Sequence, residues 1–330
     1  MSSTIGNLVD RTYREYLEPM DDVVSYSYLT SGIDDSTTTI PYKGELFSVE
    51  EEDALDAGAI IEIGTELMYA KELNTVTNEI TVQRGARGTT AQEHLINSII
   101  KIAPPFPRKN VFDAVCDQIK NMYPTLFAVE TKSIVSSTGY TLLSGANDNY
   151  LISPIKAISQ YTDWDGNSDE TGTLYRGVTV ELIDLPNPFT YVDSAGDSQT
   201  ITYSNNGPNK VNAVQMYGIA SGHTCYVTFK KKFIEPTSEA DTLSSIGLET
   251  EYEPIIMAGV AAQLISGKDI PTATADYITE QMAVQNFPVD SATRIRNSLL
   301  AYQRALIQQA RKDLRARYPE PVTINSISYG

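Results

Sequence analysis

The chain is poor in cysteine, histidine, tryptophan and positive charge, and each shortage removes a class of protein. It has two cysteines, Cys116 and Cys225, two histidines, His94 and His223, and a single tryptophan, Trp164. Two distant cysteines build neither a disulfide framework nor a Cys-based zinc site. Lysine and arginine number 25 against 42 aspartates and glutamates, which leaves a formal charge of −17. Tight grip on nucleic acid needs a basic surface to neutralise phosphates, so this balance argues against that role. No run of about 18 apolar residues occurs, and the opening MSSTIGNLVDRTYREYLEP lacks an apolar signal core. The expectation is a soluble chain made in a reducing compartment, with no membrane partner.

Catalytic signatures are missing as well. The nearest approach to a phosphate-binding GxxxxGK[ST] loop is Ser266-Gly267-Lys268-Asp269, with Ala262 in place of the first glycine and Asp in place of the hydroxyl. GxGxxG, HExxH and GxSxG are absent. The chain is therefore not read as an enzyme, and no catalytic residue, cofactor or metal ligand is assigned.

What is present is ordinary globular composition, 41% apolar and 20% charged, with 20 tyrosines. A length of 330 residues exceeds what one core usually holds, so two or three domains are expected. Segment 1–20 reads as a helix over 4–18, capped by Thr4 and stopped by Pro19. Segment 21–103 has short strand candidates at 23–29, at TTTIPYKG, and at 59–63, 66–72 and 79–84, the pattern of a small β-barrel. Segment 104–129 opens on Pro104, Pro105 and Pro107 and continues as a helix with Val111, Val115, Ile119 and Met122 on one stripe, which Pro124 ends or kinks. Segment 130–235 alternates throughout, with strands such as TLYRGVTVELIDL and TCYVTFKKKF between polar turns, the signature of a β-sandwich. Segment 236–318 is helical at 252–265, 273–284 and 291–318, and 319–330 is an extended tail. The fold class expected is α+β: a barrel-like module plus a sandwich insertion, with N-terminal, central and C-terminal helices.

Few side chains invite a chemical role. Asp163, Asp165, Asn167 and Asp169 alternate as in a calcium loop, but Ser168 and Leu174 stand where an EF-hand needs Gly and Glu. A solvated hairpin loop is favoured there over a weak cation site. Trp164 and Tyr161 in the same loop offer a sugar-stacking surface. His223 and Cys225 share a strand face without further ligands and read as core. The run ELFSVEEEDALD over 45–56 offers acids to a basic partner or a divalent ion, with a solvated face the favoured reading.

The last helix opposes the global balance. Arg294, Arg296, Arg304, Arg311, Lys312, Arg315 and Arg317 face the single acid Asp313. In so acidic a chain an acidic neighbouring protein is favoured over DNA as their partner. The tail's alternating Val322, Ile324, Ile327 and Tyr329 suits strand addition to another chain's open sheet edge.

A resemblance enters at EITVQRGARGTTAQEHLINSIIKI, residues 79–102. A strand, then RG-x-x-GT-x-A-x-x-H, then an apolar strand resembles a pattern of tailed-bacteriophage virion proteins, matched here by Arg84, Gly85, Gly88, Thr89, Ala91 and His94. Asn97-Ser98 stands where a Gly often follows the His. The preceding Glu66-Leu67-Met68-Tyr69 also resembles these proteins. Read physically, Gly85 and Gly88 permit positive φ in a tight connection. Arg84 and Arg87 pair with nearby acids, Thr89 or Thr90 caps the turn that follows, and His94 anchors the loop.

The whole arrangement is similar to head-to-tail connector (adaptor) proteins of the phage neck. That resemblance implies a homo-oligomeric ring, twelve copies favoured, that joins portal and other neck or tail proteins. DNA would pass through its lumen without tight binding. The expected location is the virion neck or tail, after synthesis in the host cytoplasm. A tail-terminator or tail-tube-associated protein, and a carbohydrate- or receptor-binding tail protein using the sandwich, are the alternatives.

Overall fold

The computed structural model describes residues 3–17, 25–43, 59–135, 140–143, 151–159, 179–186, 189–192, 198–201, 210–217, 224–266 and 291–318. The chain is of mixed helix and strand. It divides into two units that interleave along the sequence: residues 1–119, 236–243 and 250–306 form the first, and 120–235, 244–249 and 307–330 the second.

In the first unit the N-terminal helix runs Ile5–Thr12 and continues as a wider, π-type turn over Tyr13–Leu17. Thr4, in extended conformation, accepts from the Asn7 amide at 3.2 Å, as an N-cap should. Six strands follow: β1 (Ser25–Tyr28), β2 (Thr39–Pro41), β3 (Ile60–Ile63), β4 (Glu66–Asn74), β5 (Glu79–Gln83) and β6 (Ile99–Ile102). They form one antiparallel sheet in the order β1-β6-β3-β4-β5-β2.

Period-2 aliphatic pairs decide which face of this sheet turns inward. Ile61 and Ile63, Met68 and Ala70, Ile80 and Val82, and Ile100 and Ile102 all bury into one cluster with Leu29, Ile33, Ile40 and Tyr42. A register shift between Ala70 and Glu72 bends β4 and helps the sheet to curl into a half-barrel. Its outermost strands approach each other at the Leu29–Tyr42 bridge, where Thr30 N donates to Pro41 O (3.2 Å) and Lys43 N to Tyr28 O (3.0 Å).

The central helix, Arg108–Met122, buries the Val111, Val115, Ile119 and Met122 stripe expected of it and ends before Pro124. A further helix, Glu253–Ile265, carries Pro254 in its first turn and is buried almost all round. Its Gly259 lets neighbours approach closely: a Cβ there would stand 2.2 Å from both Gln118 Oε1 and Gln303 Nε2. Those two amides are bonded to each other at 2.9 Å. The C-terminal helix runs Ser291–Arg317, buries Ile295, Ser298, Leu299 and Leu314, and is half-buried at Tyr302 and Leu306.

In the second unit β7 (Ala128–Val135), β14 (Thr224–Lys231) and β9 (Leu151–Ser159) form one antiparallel sheet. A second comprises β10 (Thr179–Pro186), β13 (Lys210–Tyr217) and β8 (Tyr140–Leu142), and β11 (Phe189–Val192) pairs with β12 (Ser198–Ile201). Ile134, Leu151, Cys225, Val227 and Phe229 from the first sheet share a core with Val214 and Met216 from the second and with Leu143. Among the described residues, no helix is long and apolar enough to cross a membrane.

Candidate functional site

The RG-x-x-GT motif is organised by a residue it does not contain. Glu66 opens β4 with its side chain fully buried, and its carboxylate accepts five hydrogen bonds. Arg84 Nε (2.7 Å) and Gly85 N (3.1 Å) reach Oε1, while Arg84 Nη2 (2.8 Å), Gln92 N (3.1 Å) and His94 Nε2 (2.9 Å) reach Oε2. An ionised carboxylate only accepts, so His94 holds its proton on Nε2. Burial alone would raise this carboxyl; the donors from Arg84, His94, Gln92 and Gly85 overcome it and hold the group below its usual range.

Arg84 is equally saturated. Nη1 donates to Asp34 O and Thr37 O, both at 2.7 Å, and Nη2 also reaches Gln92 O at 2.6 Å, so all five guanidinium donors are engaged. The carbonyls on Nη1 belong to a turn built by Asp34, which accepts from the hydroxyls and amides of Thr37 and Ser36. Those contacts lower its carboxyl to about 2.

Gly85 and Gly88 take φ of +63° and +78°, the left-handed conformation expected of them. His94 anchors its loop twice, by its ring and by the backbone, which exchanges two 2.9 Å bonds with Ile33. Thr89 differs from expectation. Its Oγ1 accepts from Leu67 N (3.1 Å) and donates to Ala86 O (2.8 Å), tying the loop back to β4 rather than capping the turn ahead. Side chains engaged in this way hold the loop against β4.

Beside this clasp lies a surface the sequence reading missed. In β1, Ser27 is fully buried and Tyr26 and Tyr28 point outward, 41% and 42% exposed. Tyr28 pairs directly with Ile99, 49% exposed, and the turn leading into β6 presents Leu95 and Ile96 at 70% and 57%. The available signal was an apolar Leu-Ile pair in an otherwise polar turn, immediately after the motif histidine. Tyr26, Tyr28 and Ile99 also line a cavity of about 780 Å³ with Glu62, Lys101 and Arg108. Burial pushes the Glu62 carboxyl up, although it accepts from the Arg108 amide at 2.6 Å and faces Lys101 Nζ at 3.4 Å.

The basic residues named from sequence all lie on the C-terminal helix. Arg294 and Arg296 are half-buried, and Arg304, Arg311, Lys312, Arg315 and Arg317 are exposed. Arg317 pairs with Glu249 at 3.2 Å. Val322, Ile324, Ile327 and Tyr329 lie outside the described residues, as do His223, helix candidate 273–284, the acidic run 45–56 and the loop with Asp163, Trp164 and Asp169. Cys225 sits in the core of the second unit, where burial raises its thiol. Among the described residues no group of three or more His, Cys, Asp and Glu side chains could hold a metal ion.

No protein-family model matches this chain, and no curated protein matches it.

Proposed function

We propose that the protein is a structural component of a tailed-phage virion: a head-to-tail connector ring at the neck, assembled through contacts between identical subunits. The observation that carries the reading is the exposed apolar patch of Tyr26, Tyr28, Leu95, Ile96 and Ile99 beside the motif of the resemblance. Exposed large apolar side chains gathered on one strand pair and the turn leading into it suit an interaction surface. The motif residues Arg84, Gly85, Gly88, Thr89 and His94 support it, since their geometry serves a rigid scaffold. A net charge of −17 on each copy suits a conduit through which DNA slides without sticking. The two sheets of the second unit are read as a β-sandwich decorating the ring, and 319–330 as an extended tail reaching a neighbour.

Electron microscopy of the purified protein and of virions, with native mass spectrometry for copy number, tests this. Rings of about twelve copies located at the neck are expected for a closed cyclic assembly; six copies would move the protein to a tail terminator. Replacing Leu95 and Ile96 with Glu abolishes the rings while leaving the monomer folded. Monomers in solution together with no ring density at the neck would refute the proposal.

A further inference from the structure

One face of the C-terminal helix carries positive charge that the fold leaves unpaired. Arg311 and Arg315 stand one turn apart, Lys312 lies three residues before Arg315, and all three are exposed. Asp313, the one acid of this helix, turns to the other side, where Gln309 Nε2 donates to its two oxygens at 3.1 and 3.2 Å. Arg317 turns that way too and pairs with Glu249 at 3.2 Å. Lys232, exposed as well, holds its Nζ 5.2 Å from the centre of the Tyr123 ring, and Tyr123 lines the same depression as Arg311 and Arg315. Lys230 borders that depression but is engaged within the protein and is not counted. Among the described residues no acid pairs with Lys232, Arg311, Lys312 or Arg315.

The side chains around these cations decide the class of partner. Gln308 and Ala316 are exposed, Leu314 is buried, and among the described residues none of the exposed large apolar side chains belongs to this helix. A stable protein interface is anchored by large apolar or aromatic side chains at its centre, and the helix face presents none. A polyanion needs no such anchor, because its affinity comes from counterions released as cations meet its phosphates.

We infer that this face contacts the phosphate backbone of double-stranded DNA without reading its sequence. The net charge of −17 does not forbid the contact: charges beyond about 8 Å are screened at physiological salt, so the groups that touch decide it. Net charge over the whole sequence favours an acidic protein as partner of these residues; their segregation on one face without an apolar anchor favours phosphates. Arg and Lys both serve there, since a phosphate accepts from a fork or from a single ammonium. A single subunit carries the whole surface, whether or not it joins a ring.

The test follows the anisotropy of a short fluorescein-labelled DNA duplex of mixed sequence titrated with the full-length protein. Four cations on phosphates give a slope of log Kd against log salt of about 3.6, so affinity falls about a hundredfold between about 50 and 200 mM salt. Arg311→Gln with Arg315→Gln lowers that slope by about 2 and weakens binding about tenfold or more at the lower salt. Arg311→Lys with Arg315→Lys keeps the charge and most of the affinity. Lys71→Gln with Arg87→Gln removes as much charge from exposed positions of the half-barrel and leaves binding unchanged. A second duplex of unrelated sequence binds alike, and circular dichroism confirms that each variant is folded. No saturable binding, an equal loss on removing the half-barrel cations, a marked preference between the duplexes, or displacement of the DNA by a polyglutamate peptide at equal or lower charge concentration overturns the inference.

Discussion

Removing the Glu66 carboxylate is the sharpest test of how the half-barrel is held. In Glu66→Ala, Arg84, 7% exposed in the side chain, loses its counter-charge and two of its five hydrogen bonds, His94 loses the acceptor of Nε2, and the amides of Gly85 and Gln92 lose theirs. Truncating one partner of a buried ion pair costs about 3–5 kcal/mol, because the remaining charge stays desolvated. The same figure follows from five hydrogen bonds at about 1 kcal/mol net each. For a unit of about 150–250 residues each kcal/mol moves Tm by about 2–4 °C, so the midpoint falls by about 10 °C. Glu66→Gln keeps the shape but turns an amide NH2 toward the Arg84 donors, and is expected to lose about 3 kcal/mol.

Acid pH gives an independent reading of the same group. The folded pKa of Glu66 lies below its unfolded value of about 4.3, so the carboxylate's contribution is complete above that pH and is lost as pH falls through the folded pKa. The gap between the unaltered protein and Glu66→Gln, measured by urea midpoints, should be flat from neutrality down to about pH 5 and close below about pH 4. A neutral-pH loss below about 1 kcal/mol, or a gap that acid leaves unchanged, would show that the clasp does not hold this sheet together.

Two further substitutions probe the same unit. Glu62 titrates in the opposite sense: its folded pKa is raised, so its favourable contribution is present below about pH 4.3 and lost as pH rises through the folded value. Glu62→Gln should therefore gain stability relative to the unaltered protein between acid and neutral pH in urea titrations, and a constant difference would refute this. Gly259→Ala gains about 1 kcal/mol of helix propensity, but its Cβ collides with the bonded amides of Gln118 and Gln303. A net loss of about 1–3 kcal/mol by calorimetry is expected, and a stabilised variant would show that those amides move aside freely.

Local pattern in the sequence is what the structure reproduces most closely. The Ile-x-Ile, Met-x-Ala and Ile-x-Val pairs carry their period into β3, β4, β5 and β6, and the Val111 to Met122 spacing carries its own into the central helix. Glu66 was hidden for a different reason. Its partners stand 18, 19, 26 and 28 residues away, and no periodicity distinguishes one acid among 42. In SYSY the alternation is plain but its phase is not, because tyrosine suits either face of a strand; only the assembled sheet puts Ser27 inside. The interleaving of the two units over 236–249 leaves no compositional mark either, since it depends on which chain segments meet in space.

The clasp and the exposed patch are linked through one residue. His94 is fixed by its ring to Glu66 and by its backbone to Ile33, and the next two residues are Leu95 and Ile96. Asn97 N then donates to Leu29 O at 2.9 Å, so the turn is pinned on both sides of the apolar pair. Two large aliphatic side chains held in water are unfavourable, and here they are held in a turn that has little freedom of its own. A buried, saturated polar network is a rigid mount for such a pair, because any movement of the turn would leave Glu66, Arg84 or His94 without a partner in a low-dielectric interior. On this reasoning the motif residues act by fixing the exposed apolar pair in place.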